Sequence, residues 1–358
     1  MQRPVIKEKY RTERSAELAL AVDITANSIA TVFYDLALER RFARAVLVGE
    51  TITPETAARE LPRLVEESLA EFSIKATAVK RVGIAAPVHI ETSSECAFKA
   101  GNLGLGETCE VMYVPYISAG ISGRFTASLL TLPTEGDWTV ADFGGSLCLA
   151  HRTGGELHCA AFELAGAFDG SALESGIPAE NGAIEVVRRQ NDATIAYEVA
   201  GDCDSIGISP CGALTVAAEM QRSGILDSDG IMTDRDHFFI GEDFYISQND
   251  VRAIQTDKAR TAAAFELLDG FSSDASMFFS GEPFSNPAGF RALLELGAIP
   301  KRYKGASFCR NSTEQGIISF LEDESVRARA FELVRIVKDY SRENLLKFDK
   351  NYLKNLNF

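Results

Sequence analysis

The sequence predicts an α/β protein built from two related lobes. Three observations carry that prediction. The chain has 358 residues, about two domains' worth at ordinary domain size. Apolar residues make up 46% and charged residues 24%, the balance of a globular protein with enough apolar material for a core in each lobe. A short pattern also occurs twice: an apolar run ending in an acid, then a turn, then a return run, first at 18–34 and again at 138–151. Its two acids, Asp23 and Asp142, stand 119 positions apart (142 − 23). A unit that recurs at such spacing is the mark of a duplicated lobe.

Taken in order, residues 1–16 are polar and charged and read as a lead-in. Residues 18–23 are apolar up to Asp23, the pattern of a buried strand, and residues 29–34 return after a polar turn. Residues 54–72 carry helical periodicity at Ala58, Leu61, Leu64, Val65 and Leu69, opened by Thr53-Pro54-Glu55. Residues 81–87 read as a strand. In the second copy, Trp138 leads a strand to Asp142, Phe143-Gly144-Gly145-Ser146 makes the turn, and 147–151 returns; Gly154-Gly155 then sets a hairpin into 157–162. Further on the chain is more helical. Residues 214–223 form a helix stopped by Gly224, and 247–250 open a helix that runs to Leu268. A strand over 274–279 leads to Gly281. Helices follow over 287–296, 311–321 and 325–338. The domain reading is a lead-in at 1–16, a first lobe over 17–136, a second over 137–338 and a tail over 339–358, polar with scattered aromatics, that clamps a lobe or a partner.

Charge and cysteine content narrow the function. With 36 basic and 51 acidic residues the formal net charge is −15, which speaks against nucleic acid and against anionic membrane surfaces, both of which need a basic face. It suits solubility and docking to a basic patch on another protein. No apolar leader follows Met1, and no stretch has the apolar length of a membrane span. Seven scattered cysteines, none in a C-x-x-C pair, read as reduced thiols of a cytoplasmic protein. His89, His151, His158 and His237 lack zinc-ligand spacing, so no zinc is expected, and each reads as a surface or satisfied core histidine. Cys148 and Cys159 read as buried strand thiols, and Cys211, in a glycine turn, as the thiol to test for exposure.

Asp23 and Asp142 carry the candidate chemistry. In a cleft between two lobes, an acid at each strand end can hold Mg²⁺ through water, and the metal then bridges nucleotide phosphates. The turn after each acid must bring backbone N–H groups to the phosphates, which favours small residues. The segment from Asp142 through Gly144, Gly145 and Ser146 meets that need. The turn after Asp23 meets it poorly, because Thr25 is β-branched. The alternative reading is two acids facing water at strand ends.

A longer series of blocks bears on the choice. Ala-Val-Asp-Ile-Thr at 21–25 stands beside a family strand ending Asp-Ile-Gly-Thr-Thr. Tyr113 through Gly123 holds a proline-bearing strand and glycine loop. Ala141-Asp142-Phe143-Gly144-Gly145-Ser146 gives a second phosphate turn. Glycines 170, 176 and 182 punctuate a long loop, Gly207 to Gly212 leads into a helix, and Gln248, Asp250, Arg252, Gln255 and Lys258 keep a specific spacing. Ser280-Gly281 and the stretch from Phe308 through Asn311 to Gly316 close the series. In this order the blocks resemble the ATP-binding, DUF4445-like domain of reductive activators of corrinoid proteins. These belong to the actin/sugar-kinase/Hsp70 (ASKHA) superfamily.

The resemblance implies duplicated ribonuclease-H-like lobes with a cleft between them. It implies Mg-ATP in that cleft, with Asp23 and Asp142 holding the metal through water. Gly144, Gly145 and Ser146 lie on phosphate, Ser28 on the opposite side, Gly281 under the adenosine, and Gly212 and Asn311 in neighbouring loops. The implied activity is ATP-dependent reduction of the cobalt cofactor on a corrinoid or related tetrapyrrole partner, within a methyltransferase system. A homodimer is compatible with it. In the family the electron comes from an N-terminal [2Fe–2S] domain, and no cysteine set here has ferredoxin spacing. The expectation is therefore no iron–sulfur cluster in this chain and a separate ferredoxin-type donor. Thr25, Pro210, Glu282 and Arg310 replace family glycines, and Pro178 stands where relatives carry arginine. Proline cannot take a positive φ, and a carboxylate repels phosphate. These departures support a second reading, a non-catalytic relative acting as partner-binding subunit or chaperone. A small-molecule kinase of the same fold ranks third.

Overall fold

The computed structural model describes residues 17–358 apart from 36, 38–39, 49–50, 191–193, 202, 234–235, 268–274 and 342–344. The lead-in at 1–16, the helix position Leu268 and the expected strand start at 274 lie outside the described residues. The chain forms two compact units, Met1–Pro133 with Asn311–Val337 and Thr134–Arg310 with Lys338–Phe358. Each has its own apolar core, one around Leu20, Phe33, Leu61 and Ile84, the other around Phe143, Phe168, Leu214, Phe265 and Phe279.

The first unit opens with β1 (Leu18–Ile24), β2 (Ser28–Asp35) and β3 (Arg40–Leu47), an antiparallel meander. Strand β1 is central, so both its faces are covered, and its apolar run is the chemical consequence. Helix α1 (Pro54–Phe72) starts where the sequence expects: the Thr53 hydroxyl accepts from the Thr56 amide at 3.2 Å, Pro54 fills the first turn, and Leu61, Leu64, Val65 and Leu69 are buried. Strand β4 (Val79–Ala85) then pairs parallel to β1, helix α2 (Val88–Glu91) follows, and β5 (Glu110–Tyr113) pairs parallel to β4. The sheet order is β3-β2-β1-β4-β5. Helix α3 (Gly123–Leu130) comes next.

The second unit repeats that plan. Strands β6 (Trp138–Phe143), β7 (Ser146–Thr153) and β8 (Glu156–Glu163) form the meander. Gly154 and Gly155 turn from β7 to β8 with φ of +56° and +86°, the two positive angles that a type I′ hairpin requires. An excursion follows: β9 (Ala183–Arg189), β10 (Ile195–Val199), β11 (Gly207–Ile208), α4 (Pro210–Arg222), the hairpin β12 (His237–Ile240) and β13 (Phe244–Ser247), and α5 (Gln248–Leu267). The chain then returns as β14 (Ser276–Gly281), parallel to β6, and, after α6 (Pro287–Glu295), as β15 (Ser307–Phe308), parallel to β14. Read from its meander, five strands of the six-stranded sheet run β8-β7-β6-β14-β15, the topology of the first unit, and a short C-terminal strand adds to the β8 edge. The duplicated ribonuclease-H-like fold is thus present in the five core strands of each unit.

Helices α7 (Ser312–Glu322) and α8 (Glu324–Ile336) differ from the sequence reading, which placed 311–338 in the second lobe. They belong to the first unit. The cause is a surface made for α7: Gly83 on β4 leaves the space that Ile317 and Leu321 fill, and Gly316 lets α7 approach the Ala127 carbonyl of α3. Arg41 on β3 grips Glu314 through a two-pronged pair at 2.6–2.8 Å. The Ser128 hydroxyl bonds those of Ser312 and Thr313 at 3.0 and 3.2 Å. The last segment fastens to the second unit, as the clamp expected of the tail. Strand β16 (Lys338–Asp339) pairs with β8, and α9 (Leu345–Lys354) lays Phe348 on Phe162 at 4.9 Å between ring centroids. Among the described residues no helix is long and apolar enough to cross a membrane.

Candidate functional site

On the second unit, the expected phosphate turn lies at the carboxyl ends of parallel strands, where α/β sheets collect ligands. Asp142 is next to last on β6 and 2% exposed. Its register partner on β14 is Ser280, whose hydroxyl donates to Asp142 Oδ1. Gly281 follows with φ +111°, and a Cβ there would stand 2.0 Å from the Phe143 carbonyl oxygen. Only glycine fits, and β14 leaves the sheet against the backbone of the Asp142 turn. In that turn the Gly144 amide donates to the Ser146 carbonyl at 3.0 Å, and Ser146 Oγ lies 3.6 Å from Cys148 Sγ. Cys309, one residue past β15, donates its amide to the Phe279 carbonyl at 2.8 Å. Burial, with Asp142 adding to it, pushes its thiol above the usual range. The unit therefore brings together Asp142, Gly144, Gly145, Ser146 and Gly281. It adds Ser280 and Cys309, which the sequence reading quoted only within larger blocks and not as site residues.

On the first unit, Asp23 is next to last on β1 but meets a cation of the chain itself. Arg124 Nε, in the first turn of α3, donates to Asp23 Oδ2 at 3.0 Å, with the two side chains 15% and 21% exposed. The turn that follows is filled from within. Thr25 Oγ1 accepts from the Ser28 amide at 2.9 Å and the Asn27 amide at 3.2 Å, and it bonds Ser28 Oγ at 2.8 Å. Ser28, expected to contact phosphate, is engaged by Thr25. No sequence signal links Asp23 to Arg124, which lies 101 positions away.

Other expected contacts have structural reasons. Gly212 is buried in α4, and a Cβ on it would stand 2.1 Å from the Ile184 carbonyl oxygen, so helix-to-strand packing demands glycine. Pro210 occupies the first turn of α4 after the cap Ser209, whose hydroxyl accepts from the Gly212 amide at 3.1 Å. No positive φ is needed there, and proline suits the position. Glu282 turns its carboxylate to the Ala179 amide at 2.8 Å. Asn311 takes φ +53° and caps the entry to α7, a left-handed position that asparagine tolerates.

The motif at 248–258 is a fastening for loops. Gln248 bonds the Met232 amide and the Gly230 carbonyl, at 2.9 and 2.7 Å. Asp250 takes the Glu174 and Ser247 amides, at 2.9 and 2.8 Å. Gln255 holds the Asp229 carbonyl at 3.1 Å, and the buried Lys258 binds the carbonyls of Asn355 and Asn357. Between them Asp257, fully buried, accepts from the amides of Ala165, Ala167 and Phe168; burial pushes its carboxyl up to about 6 despite those donors. The spacing is thus set by loops that the helix must hold. His151 is 2% exposed, bonded to Thr139 and held below its ordinary pKa by burial, as a core histidine should be. Cys211, singled out for exposure, is wholly buried and its thiol is pushed up to about 11.

A family profile described as the C-terminal domain of RACo, the ASKHA domain, matches residues 140–358. No curated protein sequence is significantly similar to the chain. Among solved structures, a reductive activator for corrinoid, iron–sulfur protein superimposes with a TM-score of 0.82 at 15% identity, over 97% of this chain and 67% of that one. The ethanolamine utilization protein EutJ from Carboxydothermus hydrogenoformans aligns with a TM-score of 0.39 at 11% identity, over 87% of this chain and 91% of that one. An activator of the 2-hydroxyisocaproyl-CoA dehydratase from Clostridium difficile gives 0.38 at 11%, over 87% and 97%. The first likeness is one of fold, and the other two are too low to weigh.

Proposed function

Because the chain belongs to the family of the C-terminal ASKHA domain of RACo, we propose that it serves the reductive activation of a corrinoid or related tetrapyrrole partner. A nucleotide docks on the second unit, and electrons come from a separate ferredoxin-type chain. The observation that carries this reading is the edge built from Asp142, Ser280 and Gly281 beside the Gly144-Gly145 turn. A buried carboxylate held by a neighbouring hydroxyl at the ends of parallel strands is a preorganised acid, and Gly144 and Gly145 in the turn beside it put no side chain in the way of a phosphate. Asp142 would face a nucleotide's metal through water, Gly144, Gly145 and Ser146 its phosphates, and Gly281 the nucleoside. Bound there, a nucleotide supplies binding energy that can shift the chain between states with different grip on the partner.

Calorimetric titration with Mg-ATP and Mg-ADP tests the reading. Saturable binding that Asp142→Ala removes is the expected result, and an absence of heat and of thermal shift in the wild type would overturn it. A second reading, a partner-binding subunit or chaperone that does not turn ATP over, draws on the filled turn of the first unit. Its mark is a stable complex with the corrinoid partner whose affinity no nucleotide changes.

A further inference from the structure

A Mg-nucleotide of the ASKHA kind requires two things of the first unit: a carboxylate at the end of β1 open to a hydrated divalent ion, and free amides in the turn after it. Neither is offered. Asp23 already faces a positive charge, because the Arg124 guanidinium stands 3.0 Å from Oδ2 with both side chains largely shielded from water. A divalent ion brought to that carboxylate would lie beside a fixed cation in a poorly screened setting, where like charges repel strongly. The turn amides of Asn27 and Ser28 are also taken, since both point at Thr25 Oγ1. A phosphate there would have to displace a short, rigid, β-branched side chain from its own turn. These are independent observations, on different residues and different elements, and each removes one of the two contacts.

We infer that the first unit is self-occupied: Arg124 stands where the divalent cation would, and Thr25 Oγ1 stands where a phosphate oxygen would. The chain then holds no divalent ion at Asp23. As a consequence, which rests on the reading that a nucleotide docks on the second unit, that nucleotide takes no metal from Asp23. Arg124 acts as a positioning residue. It fixes α3 to the end of β1 in one arrangement, as a metal-bridged ligand would otherwise do.

Titration with Mn²⁺ alone, read by electron paramagnetic resonance, tests this without any nucleotide. The wild type and Asp23→Asn should give the same isotherm. Arg124→Ala should gain one site, lost again when Asp23→Asn is added, and Thr25→Gly should leave that metal site in place. Arg124→Gln keeps most of the volume and removes only the charge, so it repeats the test if the alanine variant fails to fold. A wild-type site that Asp23→Asn abolishes would overturn the inference. So would arginine variants that fold and gain no site, because Arg124 would then not be what excludes the metal. The failure of the nucleotide reading looks different: no nucleotide heat in the wild type, with the Mn²⁺ isotherms unaffected.

Discussion

Replacing Gly316 by alanine tests the placement of α7 on the first unit. A Cβ at this position would stand 1.9 Å from the Ala127 carbonyl oxygen and 2.5 Å from its carbon. The partner is helix backbone, so no rotamer change relieves the overlap. The two helices must separate by more than an ångström to restore ordinary contact, which also lifts Ile317 and Leu321 from the pocket over Gly83. Overpacking of this kind costs about 1–3 kcal/mol, and a backbone-to-backbone overlap belongs at the upper end. Against it stands the helix propensity gained on replacing glycine by alanine, about 1 kcal/mol. The net expectation is a loss of roughly 2 kcal/mol, or about 4–8 °C in Tm for a unit of this size. Scanning calorimetry, with Gly101→Ala as a control where the added methyl meets nothing within 4 Å, reads it directly. An unchanged or raised Tm in Gly316→Ala would refute the claim that α7 is seated on α3 through that glycine.

Glu91 carries a buried Oε2 without a hydrogen-bond partner among the described residues, and burial pushes its carboxyl up to about 7. Between the ordinary carboxylate value and 7 the folded state keeps a proton that the unfolded chain releases, so this group's contribution to stability falls as pH rises through that window. Glu91→Gln should therefore match the wild type near pH 4 and exceed it by about 1–2 kcal/mol at pH 8, after allowance for partial solvent screening; denaturant titrations at the two values decide it. Lys258→Met removes the donor that binds the Asn355 and Asn357 carbonyls, and should speed amide exchange in α9 about tenfold while leaving α1 unchanged, as read by mass spectrometry. Of the seven free cysteines only Cys203 is exposed, so iodoacetamide should label it first, whereas buried Cys211, its thiol raised to about 11, should resist until the protein unfolds.

The elements legible in the sequence are those whose signal is local. Helix α1 announces itself by Thr53, Pro54 and a stripe of apolar residues, and the hairpin of the second unit by Gly154 and Gly155. Those signals report backbone angles and one buried face, which neighbouring residues determine. Strands β9 to β13 carried no comparable signal. They form two small sheets of their own, β10-β9-β11 and β12-β13, whose pairing local residues do not announce. Helices α7 and α8 were legible as helices, but the surface they cover was not. Periodicity says that a face is apolar, whereas Gly83 and Gly316 say where it goes, and a glycine in a sequence does not reveal which distant atom it admits.

The same limit governed the two candidate acids, and it acted on them in opposite directions. Asp142 and its glycine turn could be read because a strand, an acid and a tight turn are contiguous, and the structure brings Ser280 to the acid through one register of parallel strands. Asp23 carried the same local signature, yet what decides its chemistry is Arg124, which only the fold brings near. Thr25 was legible as an obstacle because it is β-branched. Its effect is more specific than bulk, since its hydroxyl satisfies the very amides that a phosphate would need. The motif on α5, legible as a specific spacing, shows the reverse case. Its polar residues are spaced like a site because they fasten successive loops along one helix. Residue type and spacing cannot separate a side chain that waits for a ligand from one that has found its partner within the chain. Where duplicated lobes carry the same motif, the partner of each acid is therefore the observation that tells them apart: a hydroxyl at Asp142 and a guanidinium at Asp23.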